Sequence, residues 1–154
     1  MQLANYFRKV ILNYLKMRAL IVYHSRKGTT RKFAEKIAEK LFSKNVEVIT
    51  KDIEKTTHSD LENCDILYMG SWTNGRFLFN QKPAHEWVNF AEKLPKADNK
   101  KTVLFTTYSL KTGSMFRNMK KYILPKGYKV IGSMKSRNGK MNYYSDVILR
   151  YSLN

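Results

Sequence analysis

Apolar residues along this chain switch between two rhythms. The segments RALIVYH (18–24), VEVITKDI (46–53), DILYMGS (65–71), KTVLFTTY (101–108) and YKVIGSM (128–134) are short apolar runs with the length and composition of strands. Several are apolar on both faces, as strands must be in a sheet covered on both sides. Between them, apolar positions recur every three or four residues. Phe33, Ala34, Ile37, Ala38, Leu41 and Phe42 form one such stripe, Ala84, Trp87, Val88, Ala91 and Leu94 a second, and Met115, Phe116, Met119, Tyr122 and Ile123 a third. These spacings predict amphipathic helices. THSDLENC predicts a short further helix and YYSDVILRYSL a last one. Strands alternating with helices predict an α/β fold, a three-layer, doubly wound arrangement around a five-stranded parallel sheet. The right-handed crossover rule leaves few ways to connect five such strands.

Residues 1–16 precede this alternation and read as an N-terminal amphipathic helical extension, with the domain occupying 17–154. Leu3, Tyr6, Phe7, Val10, Ile11, Tyr14 and Leu15 form its apolar stripe, opposed by Gln2, Asn5, Arg8, Lys9 and Asn13. A docking helix, or one that pairs two copies into a homodimer, is the plainest reading. The basic face leaves a membrane-surface helix as an alternative. A third reading is that Met17 marks where the functional domain begins.

Composition narrows the class. A chain of 154 residues, 43% hydrophobic, is long enough to bury one substantial core. No run of eighteen apolar residues marks a membrane span. Arg8, Lys9 and Lys16 interrupt the apolar stretch that a signal peptide needs. The single cysteine, Cys64, has no internal partner for a disulfide, which fits a cytoplasmic protein. Charge changes the picture most. Twenty-nine Lys and Arg against twelve Asp and Glu give +17, an excess that favours nucleic acid, anionic lipid or an acidic protein. These cations are spread along helices (Lys36, Lys40, Lys93, Lys96, Lys120, Lys121) and not gathered in a tail, and no nucleic-acid-binding signature or zinc spacing accompanies them. The charge therefore biases the choice of partner without naming a function.

The loop after the first strand is the clearest chemical signal. Ser25-Arg26-Lys27-Gly28-Thr29-Thr30 joins a strand to a helix that starts near Thr29. Gly28 lets backbone approach a ligand, and Ser25, Thr29 and Thr30 supply hydroxyls. The helix start supplies unpaired N–H groups and the positive end of its dipole, a combination suited to phosphate. A helix cap by Thr29 or Thr30 is expected alongside. The spacing G-x-x-x-x-G-K-S/T of nucleoside triphosphatases is absent, and no G-x-G-x-x-G follows a strand.

This loop resembles the phosphate loop of the flavodoxin family, Ser/Thr-x-Thr-Gly-x-Thr, with Lys27 where the family pattern carries a hydroxyl. DILYMGSWTNGRF resembles that family's third strand and flavin loop, Gly70, Ser71 and Thr73 matching a G-S-x-T pattern and Gly75 standing where a turn is expected. KTVLFTTYSLKTGS is similar to its fourth strand and second flavin loop, and VIGSMKSRNGKMN to the segment that follows its fifth. The resemblance covers most of 17–154, and the unsplit fifth strand is like that of the short-chain branch. It implies the strand order 2-1-3-4-5 and a noncovalent FMN. Ser25, Arg26, Lys27, Gly28, Thr29 and Thr30 would hold the phosphate. The ring would lie between Ser71, Trp72, Thr73, Asn74 and Gly75 on one side and Thr107, Tyr108, Ser109 and Gly113 on the other. Trp72 and Tyr108 are the candidates to flank it, with a place in the core as the alternative for each, beside Phe77 and Phe79 for Trp72.

Flavin carries its own electron chemistry, so no catalytic side chain is assigned. His24, His58 and His85 show neither metal-ligand spacing nor a Ser or Cys partner, and no metal site is expected. His24 ends the first strand beside the loop, while Glu86 and Asp65 read as solvated carboxylates. Arg76 and Lys111 in the flavin loops predict a less negative flavin potential than in acidic relatives. An electron carrier with an acidic redox partner is favoured. The alternative is an FMN-dependent reductase or oxidase of a small molecule such as a quinone or tetrapyrrole, with TNGRFLFNQKP walling its pocket. A basic nucleic-acid module without flavin is the second alternative.

Overall fold

The structure, a computed structural model, describes residues 1–14, 16–74 and 80–154. An N-terminal helix, α1 (Gln2–Tyr14), leads into β1 (Arg18–His24), α2 (Thr29–Ser43), β2 (Glu47–Asp52), α3 (His58–Glu62) and β3 (Ile66–Asn74). The chain continues through β4 (Lys82–Pro83), α4 (His85–Glu92), β5 (Lys100–Thr107), α5 (Met115–Ile123), β6 (Tyr128–Ser136) and α6 (Tyr143–Ser152), with single 3-10 turns at Ile53–Lys55 and Leu124–Lys126. Five strands run parallel in the order β2-β1-β3-β5-β6. This is the expected 2-1-3-4-5 order; the numbering shifts because β4, two residues long, pairs antiparallel with the far end of β3.

Strand alternation distributes the core. Leu20 and Val22 of β1, Leu67 and Met69 of β3, and Leu104 of β5 pack with Leu61 of α3, Trp87 and Ala91 of α4, and Met115, Met119 and Ile123 of α5. Their neighbours Ala19, Ile21, Ile66, Tyr68, Val103 and Phe105 point to the other face, against Phe33, Ala34, Ile37 and Leu41 of α2 and Leu149 of α6. Both faces are thus covered, which is why these strands read as continuous apolar runs. Phe42 and the edges of α5 differ from the expected stripes: Phe42 is exposed, and Phe116 and Tyr122 only flank the core. Cys64 is buried and free, its thiol pushed up by that burial. Among the described residues no helix is long and apolar enough to cross a membrane.

The short α3 is fastened by charge. Thr57 and Asp60 form a reciprocal capping box, and Lys51 of β2 sets its ammonium 2.8 and 2.9 Å from the two carboxylate oxygens of Asp60. The Lys51 hydrogen bond, then the Thr57 N–H and hydroxyl, pull the Asp60 carboxyl down to about 2. A folded value below the unfolded one stabilises the fold above the ordinary carboxylate range and loses that contribution as pH falls toward 2. Asp60→Asn is therefore expected to lower the melting temperature at neutral pH, and the gap from the native protein should close between about pH 4 and pH 2. Melting curves across that range check it; a gap independent of pH would mean the carboxylate charge is not what counts.

Candidate functional site

The register of the sheet brings the carboxyl ends of its strands side by side. His24 lies opposite Ser71, Trp72 opposite Thr107, and Thr107 opposite Ser136. β1 and β3 are the pair at which the chain reverses its direction of winding, the position where open α/β sheets bind ligands. Buried hydroxyls tie these ends together. Thr106 donates to the Ser71 carbonyl at 2.7 Å and its hydroxyl shares a 2.9 Å bond with Thr73. Thr30 at the head of α2 shares a 2.7 Å bond with Thr107.

The loop from Ser25 to Thr30 turns on Gly28, whose φ of 85° is the left-handed conformation that side chains disfavour. A Cβ there would meet nothing within 4 Å, so backbone conformation, and not space, calls for glycine. The expected cap by Thr29 or Thr30 is not what forms. Gly28 occupies the N-cap position without a side-chain bond, and the Ser25 hydroxyl accepts from the Arg31 N–H at 3.2 Å. Thr30 is instead turned inward to Thr107. Lys32 donates to the Gly28 carbonyl, which leaves the Thr29 and Thr30 N–H groups with no acceptor inside the helix.

A cavity of about 340 Å³ opens over this helix start. Arg26, Lys27, Thr29 and Thr30 line it from the loop; Trp72, Thr73 and Asn74 from the end of β3; Thr107, Tyr108 and Ser109 from the end of β5. The remaining sequence-predicted residues lie elsewhere. Ser25 and Gly28 shape the loop from outside the lining. Ser71 is fully buried and structural, its hydroxyl accepting from the Ala84 N–H at 3.1 Å. Gly113 is in the turn before α5 and does not line the cavity. Gly75, with Arg76, Phe77 and Phe79, lies outside the described residues.

Arg137 is the lining residue that sequence reasoning missed. Its Nε donates to the Ser109 carbonyl at 2.9 Å, and the Tyr108 N–H donates to the Ser136 carbonyl, so the end of β6 holds the β5 loop in place. The arginine, three residues before Lys140, carries no signal of its own in the sequence. Arg26, Lys27 and Arg137 are the charged groups of the lining, and no carboxylate faces them among the described lining residues. The Arg26 guanidinium sits 5.5 Å from the centre of the Trp72 ring. Trp72 lines the cavity and also packs against the core, and its buried indole N–H has no hydrogen-bond partner.

Two carboxylates are less ordinary than the sequence suggests. Glu86 is exposed but stands 3.5 Å from His24 Nε2, and Asp65 accepts from the Arg18 N–H at 2.7 Å. His24 and Glu86, with Arg26, Trp72, Asn74 and His85, line a second cavity of about 430 Å³ beside the first. Among the described residues no group of three or more His, Cys, Asp or Glu is placed to hold a metal.

With this geometry in place, comparison with known proteins is decisive at the level of family. The model of the flavodoxin domain matches residues 20–147, most of the chain. The chain belongs to the flavodoxin family. No curated protein sequence matches it. Solved flavodoxins share its fold. That of Megasphaera elsdenii is 23% identical, with a TM-score of 0.72 over 87% of this chain and 96% of its own. Flavodoxin 2 of Bacillus cereus is 18% identical, with a TM-score of 0.68 over 88% and 95%. A larger protein, the rubredoxin oxygen:oxidoreductase of Desulfovibrio gigas, contains the same fold over 35% of its length, covering 89% of this chain at 16% identity and a TM-score of 0.66. Flavodoxins are flavin-binding electron-transfer proteins, and FMN is the family's cofactor. The donor set at this site fits it: open helix N–H groups, hydroxyls and cations for a phosphate, and a partnerless indole N–H beside an aromatic-lined space for a ring.

Proposed function

We propose that this flavodoxin is an electron carrier that holds FMN noncovalently and exchanges electrons with an acidic redox protein in the cytoplasm. The observation that carries the reading is the composition of the 340 Å³ cavity. Phosphate-type donors come from the Arg26–Thr30 segment and the aromatic side chains of Trp72 and Tyr108 from the facing loops, with no nucleophile and base paired among the described lining residues. Thr29 and Thr30, by hydroxyl and N–H, and Lys27, by charge, would hold the phosphate; Trp72 and Tyr108 would bound the ring. Arg137 keeps the Ser109 segment, and Tyr108 with it, in register. When bound, FMN supplies the electron chemistry, and the protein's part is to position it and set its surroundings. A net charge of +17 steers encounter toward partners of opposite sign.

Titrating the apo-protein with FMN should quench flavin fluorescence stoichiometrically. The loaded protein should then exchange electrons faster with an acidic than with a basic protein acceptor, and the rate with the acidic one should fall about tenfold or more as salt is raised toward 0.2 M. Absence of quenching, or tight RNA binding in its place, would overturn the reading. The second cavity, with its His24–Glu86 pair, favours a second reading as an FMN-dependent reductase or oxidase of a small molecule such as a quinone or tetrapyrrole. Sustained turnover of such a molecule with a nicotinamide donor and no partner protein separates the two.

A further inference from the structure

None of the described side chains of α1 is buried. Leu3 is 70% exposed, Tyr6 64%, Phe7 56% and Ile11 55%, and Val10 is half-buried. A helix of thirteen residues is marginal in water by itself and usually owes its stability to burying one face. Here Leu3, Tyr6, Phe7, Val10 and Ile11 share one side of the helix, while Gln2, Asn5, Arg8 and Lys9, with Leu12 among them, occupy the other. The body of the protein does not cover it. Something else must.

Charge selects the occupant. Arg8 and Lys9 lie on the helix, Lys16 follows it, and no carboxylate precedes Glu35 anywhere in the sequence. A second copy of the chain would set these cations against their equivalents and bring two bodies of +17 together, with no acidic group on either helix to answer them. An anionic bilayer answers both halves of the helix at once. Its headgroups attract the cations, and the boundary with the acyl chains receives the apolar stripe, aromatic Tyr6 and Phe7 included. We infer that α1 docks the protein on an anionic membrane surface, lying in the plane of the interface with Leu3, Tyr6, Phe7, Val10 and Ile11 inserted. The protein is then an electron carrier held at a membrane by a helix that lies on it, without spanning it.

Flotation of the full chain with lipid vesicles tests this. At low salt the native protein should float with vesicles containing phosphatidylglycerol and not with pure phosphatidylcholine vesicles. The double substitution Phe7→Asn with Ile11→Asn leaves the charge unchanged and should lower partitioning to the anionic vesicles by at least about tenfold. Arg8→Gln with Lys9→Gln should weaken it as well and reduce its dependence on salt. FMN quenching should be the same in all three proteins, which separates a lost dock from a lost fold and leaves the flavin reading independent of this one. Equal flotation of the Phe7/Ile11 variant would overturn the inference, because the charge of the body would then suffice. So would failure of the native protein to float, or light scattering that shows a lipid-free dimer dissolved by the same two substitutions, which would make a second copy the occupant.

Discussion

Thr30→Val is expected to raise the dissociation constant for FMN about tenfold or more while the native fold persists. Thr30 is buried, and its hydroxyl shares a 2.7 Å bond with that of Thr107, itself nearly inaccessible. Either oxygen can donate, so the pair can present one proton to the cavity that both residues line. Valine matches threonine in shape but removes the hydroxyl. Thr107 is then left without its partner, and an unsatisfied buried hydroxyl costs about 1–3 kcal/mol. The binding loss corresponds to about 1.4 kcal/mol per tenfold, of the same size as one good polar contact. Two readouts keep the terms apart: thermal melting for the buried pair, and flavin fluorescence for the ligand. Thr30→Ser restores the hydroxyl and should recover most of the affinity. Native affinity in the valine variant would remove this loop as the phosphate site. Equal loss in both variants would mean that the hydroxyl alone does not account for the affinity, since serine keeps it and lacks only the methyl.

The fold was legible because burial on both faces leaves a local trace. Leu20 and Val22 serve one face of the sheet and Ala19 and Ile21 the other, so a short run of sequence announces a central strand. The polar loop was legible for a similar reason, since the residues of its turn are consecutive. What stayed hidden depends on contacts between distant positions. The Thr30–Thr107 bond spans seventy-seven residues, and nothing near Thr30 distinguishes a hydroxyl turned inward from one that caps a helix. Ser25 took the capping role because the left-handed Gly28 brings its oxygen back to the Arg31 N–H, a geometry that spacing does not reveal. His24 and Glu86 meet only after β3 and β4 have returned the chain to the end of β1. Arg137 joins the site through the register of β6 against β5. β4 is two residues long, too short for any periodicity.

Gly70→Ala should destabilise the protein by about 3 kcal/mol, at the upper end of what one added methyl does in a packed core. Gly70 sits in β3 between Tyr23 of β1 and Phe105 of β5, and the Phe105 ring lies over it. A Cβ at this position would stand 2.1 to 2.5 Å from three ring atoms, closer than carbon atoms approach. The ring has no easy retreat. Phe105 is fully buried and packs edge-on against Phe33 of α2, with ring centres 5.8 Å apart, so a shift of one ring displaces the other. Relief through the backbone would be felt at the site, because Trp72 to Asn74 follow on the same strand and carry one wall of the cavity. FMN affinity should therefore fall together with stability. Phe105→Leu removes the obstructing ring and by itself costs stability through the space it leaves. Combined with Gly70→Ala it should cost less than the sum of the two, because the added methyl then occupies part of that space. Denaturant unfolding of the four proteins in this cycle measures the coupling. Strict additivity would mean that the methyl and the ring never met, and the requirement for glycine at this point of β3 would have to come from the backbone alone.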